Sequence, residues 1–415
     1  MTLFNTTLLS FLIFFSFSVN AQDRNLSRVN KTKLKSIIIQ LDYEKDSILN
    51  EMASCISSNI QLEDSISILT KTDSLTIIFT GDIMGHDPQI KSAYNPKSKN
   101  YNYDLVFKEV KNLISKADYS IANLEVTLAG PPYKGYPKFS SPDALAAACK
   151  SSGIDVLVTS NNHSCDRGKE GLIRTLDVLD SLEIMHTGTF RDSTEWKRNN
   201  LLILEENNIR IGLLNYTYGT NGLPTPLPTI VNRIDTVAML LDIENSKQVN
   251  LDKLIVMIHW GPEYKSYPSS GQKNIAKFLF RNGVDIIVGS HPHVLQKMEY
   301  FENCGAENGQ FIAYSLGNYV SNQRARRKDG GAMLELTLTK KLEKVSITDF
   351  GYHLTWVHKS INNGKELFKI VSCAKYEEKD FKGLDLYSTK AMKTFINDSR
   401  SLFSKENKNV KEKKN

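Results

Sequence analysis

Cysteine is scarce in this chain. Five are scattered over 415 residues, an odd number with no Cys-x-x-Cys pair. That excludes a disulfide framework and leaves room for one or two bridges or an intermolecular link at most. No Gly-x-x-x-x-Gly-Lys-Ser/Thr stretch occurs, so the chain is not itself a P-loop ATP-driven ligase. A basic stripe interleaved with aromatics is also missing, and nucleic acid is excluded as a partner. The formal charge is +6, but about half of it sits in the last stretch, "SKENKNVKEKKN", which reads as a disordered tail. Nor is there an apolar run of the roughly 20 residues that a membrane span needs.

The most apolar stretch is "LLSFLIFFSFSV", Leu8 to Val19. With "VNA" ending at Ala21 it reads as a signal peptide cleaved before Gln22, although the residues before it carry no Lys or Arg. Cleavage sends the chain to the periplasm or cell surface, and an uncleaved signal would leave it membrane-anchored. No cysteine follows the site, which argues against a lipoprotein. Over residues 22–72, Ile38, Leu41, Ile48, Met52, Cys55, Leu62, Ile66 and Leu69 fall largely on alternating spacings of three and four. That is the period of a coiled-coil seam, interrupted at Lys45 and Asn59. Two readings stay open: a helical stalk that spaces or dimerises the main domain, or amphipathic helices folded onto it.

What is present changes character at Ser74. Short apolar strands alternate with helices, as in an α/β domain with largely parallel central strands. Each strand ends in a polar cluster: "SLTIIFT" in "GDIMGH", "ADYSIA" in "NLE", "IDVLVTS" in "NNHSCDRG", "KLIVMIH" in "WGPEY", and "VDIIVGS" in "HPHV". "SSGIDVLVTSNNH" (151–163) aligns without gaps to "RNGVDIIVGSHPH" (281–293), which reads as two equivalent units meeting at one edge of one sheet. Ligands in open α/β sheets bind beyond the carboxyl ends of the strands. Asp82, Glu125, Asn162, His163, His259, His291 and His293 should therefore converge. Pro292 biases His291 toward extended backbone, which would turn His291 and His293 the same way. Further candidates are His86, Asp166, Arg167, Glu263 as a partner of His259, and Asn318 in "YSLGN". Cys165 reads as a small packed residue. Carboxylates, imidazoles and an amide oxygen without thiolates suit Zn, Mn or Fe. The donors exceed what a single ion requires, so one or two divalent ions are expected. "AMLELTLTK" and "VSITDFGYHLTWVH", after the basic loop "RARRKDGG", should form a hairpin completing the second sheet.

"FTGDIMGH", "NLEVTLAG", "FSSPDALAAACKSSGIDVLVTSNNHSCDRGKEGL", "HWGPEY", "GSHPHVLQ" and "YSLGNYV", in this order, resemble the bacterial CapA family of capsule and poly-γ-glutamate synthesis. The resemblance spans about 74–360. It implies a four-layer α-β-β-α sandwich like that of calcineurin-like metallophosphoesterases, over 74–376, followed by a helix and tail over 377–415. It also implies Asp82, Glu125, Asn162, His259, His291 and His293 as metal ligands and His163 as proton donor to a leaving group. From their position right after the Asn-His pair, Asp166 and Arg167 are read as orienting it or binding an anionic substrate. The first motif departs from the pattern: phosphoesterases carry Asp-x-His, whereas this chain has Asp82-Ile83-Met84. A thioether is a poor ligand for a hard ion, so either His86 substitutes or one metal is lost. The implied substrate is an anionic polymer or phosphoester, and the implied partners are membrane-bound capsule synthesis or export proteins; a homo-oligomer through the N-terminal helix belongs instead to the stalk reading of residues 22–72. A metal-dependent hydrolase and a non-catalytic polymer-binding scaffold are both compatible with these residues.

Overall fold

The computed structural model describes residues 72–302, 309–362 and 364–414. The expected signal peptide and N-terminal helical segment lie outside them. Among the described residues, Cys149, Cys165 and Cys373 are free and buried, and no helix is long and apolar enough to cross a membrane.

Among the described residues, fourteen strands build the two large sheets. They are β1 (Thr72–Ile83), β2 (Tyr119–Leu124), β3 (Val156–Val158), β4 (Met185–Thr187), β5 (Leu202–Glu206), β6 (Ile209–Thr217), β7 (Lys253–His259), β8 (Ile286–Ser290), β9 (Leu295–Phe301), β10 (Gln310–Leu316), β11 (Asn318–Val320), β12 (Gly330–Lys341), β13 (Lys344–Asn362) and β14 (Lys365–Ser372). The eight-stranded sheet runs β14-β13-β12-β1-β2-β3-β4, with β11 beside the end of β1, and the six-stranded sheet runs β9-β10-β8-β7-β6-β5. β1 to β4 are mutually parallel, as are β6, β7, β8 and β10.

Strand alternation explains the layers. Leu75, Ile77, Phe79, Ile121 and Val156 from one sheet meet Ile211, Leu213, Ile255, Met257 and Val288 from the other in a shared core. The intervening residues face outward. Ile78, Ala122 and Leu157 pack under helix α1 (Ala144–Ser152) and helix α2 (Gly168–Ser181). Leu214, Val256 and Ile287 pack under helix α3 (Thr236–Ser246) and helix α4 (Ser270–Arg281). A period of two on buried parallel strands gives one apolar set to each face. The result is the expected four-layer α-β-β-α sandwich.

One device recurs at the start of four parallel strands. The Asp118, Asp155, Asp252 and Asp285 carboxylates accept the backbone N–H of Thr76, Ser120, Arg210 and Leu254 at 2.7–2.9 Å. Each aspartate's own N–H donates to the carbonyl of that same residue. The pair locks the register of neighbouring strands and explains the aspartate shared by the two aligned segments. Those segments do not meet in one sheet, however: β3 belongs to the eight-stranded sheet and β8 to the six-stranded one. The expected hairpin is likewise β12–β13, and it extends the eight-stranded sheet beside β1.

The tail over 407–414, expected to be disordered, is ordered. After helix α5 (Leu386–Glu406) it bridges the sheets, with Lys408 hydrogen-bonded to Met298 and Tyr300 and with Tyr352 paired to Lys411 and Lys413. Val410 inserts into the shared core. Its charges are not a solvated run, because Glu412 meets Arg400 and Lys413 meets Glu335 and Asp349. The His353 ring, then Lys413, holds the Glu335 carboxyl down from 4.5 to about 2. A depressed carboxyl contributes stability above its ordinary value and loses it as pH falls toward the depressed one. Solvent screening of this half-buried group leaves about 1 kcal/mol. Glu335→Gln should lower urea-measured stability by that amount at pH 7, with the gap closing between pH 5 and pH 2. A gap that is constant over that range would show that the ion pairs contribute nothing.

Candidate metal centre

Both sheets aim the carboxyl ends of their parallel strands at one seam. Asp82 ends β1 alongside Asn318, Glu125 follows β2, and Asn162 and His163 follow β3. From the other sheet, His259 ends β7, and His291 and His293 follow β8. Two glycines make this approach feasible. A Cβ on Gly81 would lie 1.9 Å from the Gly317 carbonyl oxygen, and one on Gly289 would lie 2.1 Å from that of Tyr314.

Among the described residues, three donor groups form, each with ligand atoms within 4.8 Å of one another: Glu125–His259–His291, Asp82–Glu125–His293 and Glu263–His291–His293. Glu125 Oε1 lies 3.6 Å from His259 Nε2 and 3.7 Å from His293 Nε2, so it stands between the first two groups. Asn162 Oδ1 is 2.9 Å from His259 Nε2. His259 and His293 are each aimed by a partner on the other nitrogen, as metal-binding histidines usually are. Ser290 Oγ holds His259 Nδ1 at 2.9 Å, and Asn318 Oδ1 holds His293 Nδ1 at 3.1 Å. The Asn318 amide nitrogen donates to the Lys328 carbonyl at 2.7 Å, which turns its oxygen toward the ring.

The electrostatics fit a cation. Asp82, Glu125 and His259 are fully buried. Neither Glu125 oxygen has a hydrogen-bond partner, and nor has His291 Nδ1. Burial, then the Asp82 carboxylate, pushes the Glu125 carboxyl well above its ordinary range. Burial, then the neighbouring rings, holds His259 well below its ordinary value and His291 at about 3. His259 and His291 are thus in the neutral form that ligates metals, beside carboxylates that lack positive charge. A divalent ion would satisfy both conditions.

The two histidines reach the seam by another route than expected. His291 has φ +94° and His293 φ +56°, so the segment is not extended. The turn coils left-handed around Pro292 and puts the ring centroids 5.9 Å apart. Two non-glycine residues with positive φ cost about 1–3 kcal/mol each, a strain that clusters at functional sites.

Other expectations divide. His163 Nδ1 donates to Asp166 Oδ2 at 2.8 Å, and both are buried. Phe139 N also donates to Asp166, and the Phe139 ring stands edge-on to His163 at 4.6 Å. Cys165 packs with Leu172, Leu176 and Val231. Glu263 is not a partner of His259; it lies 3.9 Å from His293 Nε2. Arg167 Nε donates to the Phe139 carbonyl at 3.4 Å rather than hydrogen-bonding to the Asn-His pair. His86 stays out of the three donor groups. It caps a short helix through Gln89, and burial holds it at about 4. Met84 lies in the outer core.

Sequence reasoning missed several supports. Asn123 donates to Asp82 Oδ1 at 2.8 Å, and Asn161 accepts from the His163 N–H at 3.0 Å. Tyr218, half exposed, lies 4.6 Å from the His291 ring. Asn123 and Asn161 stand directly inside "NLE" and "NNH", so adjacency to the candidates was the available signal.

The family model described as bacterial capsule synthesis protein PGA_cap matches residues 76–323. The capsule biosynthesis protein CapA of Bacillus anthracis is 29% identical over 279 residues, 65% of this chain and 65% of that protein. The match therefore falls just short of two thirds of that relative's length. The PGA biosynthesis protein CapA of Bacillus subtilis (strain 168) is 28% identical over 282 residues, 65% of this chain and 69% of that one. Among solved structures, the NAD nucleotidase NadN of Haemophilus influenzae aligns with a TM-score of 0.43 at 17% identity, over 80% of this chain and 61% of that one. The calcineurin-like phosphoesterase YfkN of Bacillus subtilis aligns with a TM-score of 0.41 at 14% identity, over 80% and 99%.

Proposed function

The chain belongs to the bacterial capsule synthesis protein family PGA_cap, and from that premise we propose that it is an exported, metal-dependent hydrolase acting in capsular polymer synthesis. The observation that carries this reading is the buried Glu125 carboxylate, without a hydrogen-bond partner of its own, between the His259–His291 pair and His293. Asp82, Glu125, Asn162, His259, His291 and His293 would hold one or two ions, with Mn, Zn or Fe fitting the donor set. A bound ion of this kind polarises a phosphoryl oxygen and supplies hydroxide at neutral pH. His163, held in one tautomer by Asp166, delivers a proton to the leaving group. The substrate class is a phosphoester, or a bond in poly-γ-glutamate or a related polymer. Export to the periplasm or cell surface and contact with membrane-bound capsule proteins belong to the same proposal.

The test is metal analysis of the purified chain, with phosphodiester and polyglutamate hydrolysis assayed on wild type and His291→Ala. The expected result is stoichiometric metal and turnover that drops at least about a hundredfold in the variant. Turnover that is indifferent to His291 would refute the assignment. One feature favours a second reading, a non-catalytic polymer-binding component. A cleft lined by Tyr264, Val294, Arg326, Arg327 and Lys328 opens beside the cluster, and the Lys328 carbonyl is bonded to the asparagine that holds His293. Polymer binding that persists in His291→Ala, with no turnover in either protein, would favour this reading.

A further inference from the structure

The Asp82–Glu125–His293 group offers three donors on one side of the centre. A catalytic ion held by so few needs another protein ligand or solvent. Residues 84 and 86, the nearest downstream of Asp82, do not provide it: Met84 is buried in the outer core, and His86, held at Nδ1 by Gln89 at 3.1 Å, belongs to none of the three donor groups. We infer that Glu263 is the ligand that completes this side of the centre, reaching it from the solvent face.

Three observations carry the inference. Glu263 Oε1 lies 3.9 Å from His293 Nε2 and forms a donor group with His293 and His291. Its loop is fixed to the turn that carries both histidines, because Tyr264 N donates to the Pro292 carbonyl at 2.8 Å. That loop is also shaped for the purpose. Gly261 and Tyr264 have φ of +84° and +62°, and the Lys328 ammonium sits over the Tyr264 ring at 3.5 Å. The side chain remains 43% exposed, whereas Asp82 and Glu125 are sealed. A solvent-side carboxylate can swing on and off an ion while buried ligands keep it in place. The ion on this side therefore binds more weakly than its neighbour and exchanges faster.

The inference rests on the reading that the cluster holds metal, and the experiment separates the two. Mn²⁺ binding to the full chain is titrated calorimetrically, and Mn²⁺ electron paramagnetic resonance is recorded on wild type, Glu263→Gln and Glu263→His. Glu263→Gln should weaken the weaker Mn²⁺ site at least tenfold and leave the tighter one unchanged, with loss of any spin coupling between ions. Glu263→His, which restores a donor, should recover most of the affinity. Mn²⁺ affinities and spectra that are identical in wild type and Glu263→Gln overturn the inference while leaving the metal centre standing, whether one site or two are seen. A folded wild-type chain that binds neither Mn²⁺ nor Zn²⁺ overturns the metal-centre reading and this inference with it.

Discussion

Glu125→Gln should be more stable than the wild type in chelator and less stable in saturating metal. In the metal-free chain Glu125 is fully buried with neither oxygen partnered, and Asp82 adds like charge nearby. Keeping an uncompensated carboxylate in such a place costs several kcal/mol, or the cost of protonating it. An amide of the same shape removes the charge while retaining an oxygen near His259 and His293, so unfolding free energy in EDTA should rise by about 1–2 kcal/mol. Saturating metal reverses the order. A ligand at a hundred times its Kd adds about 2.7 kcal/mol to a protein that binds it only when folded. A neutral amide between the donor groups forfeits most of that gain. Turnover should fall by at least about a hundredfold, the upper end of what losing an outer partner costs. Urea denaturation of both proteins, with EDTA and with Mn²⁺, gives four numbers and one crossing. Parallel shifts without a crossing would mean that Glu125 is an ordinary buried carboxylate with an unseen partner.

The same residue shows why part of this site can be read from sequence. Parallel strands buried on both faces appear as unbroken apolar runs, and the first polar residue after each run marks its carboxyl end. Asp82, Glu125, Asn162, His259, His291 and His293 all stand in the polar clusters that close these runs, and all six lie at the seam. The rule says nothing about which sheet a run joins. β3 and β8 carry the same glycine, aspartate and apolar pattern, and only contacts between segments distant in sequence put them in different sheets. Partnership across long separations was hidden for the same reason. Lys413 is 78 residues from Glu335, so its charge could only be read as part of a run. The left-handed backbone at His291 ran against a local preference, since a following proline favours extended conformations. Packing of the turn, held by Asp82 Oδ2 accepting the His291 N–H at 3.2 Å, overrides it. Ser290 and Asn123 were overlooked because a serine or asparagine beside a strand end is ordinary turn chemistry.

Asp166→Asn should cost about 10²–10⁴-fold in kcat on alkyl phosphodiesters, with metal content unchanged. Asp166 lies outside the three donor groups, and its effect passes through His163. The Oδ2 atom accepts from both His163 Nδ1 and Phe139 N. This bond keeps Nδ1 protonated, turns Nε2 outward, and stabilises the charge the ring carries as a proton donor. An asparagine can keep the geometry but not the charge, and it leaves an amide N–H₂ where Oδ1 now has no partner. Two features separate this role from a general structural one. The loss should be large for alkoxide leaving groups, which need a proton, and small for p-nitrophenolate, which leaves without one. Losses in His163→Ala and Asp166→Asn should also fail to add in the double variant, because both remove one function. Additive losses, or equal losses on both substrate classes, would remove His163 as the proton donor and leave its pair with Asp166 as a brace for the loop after β3.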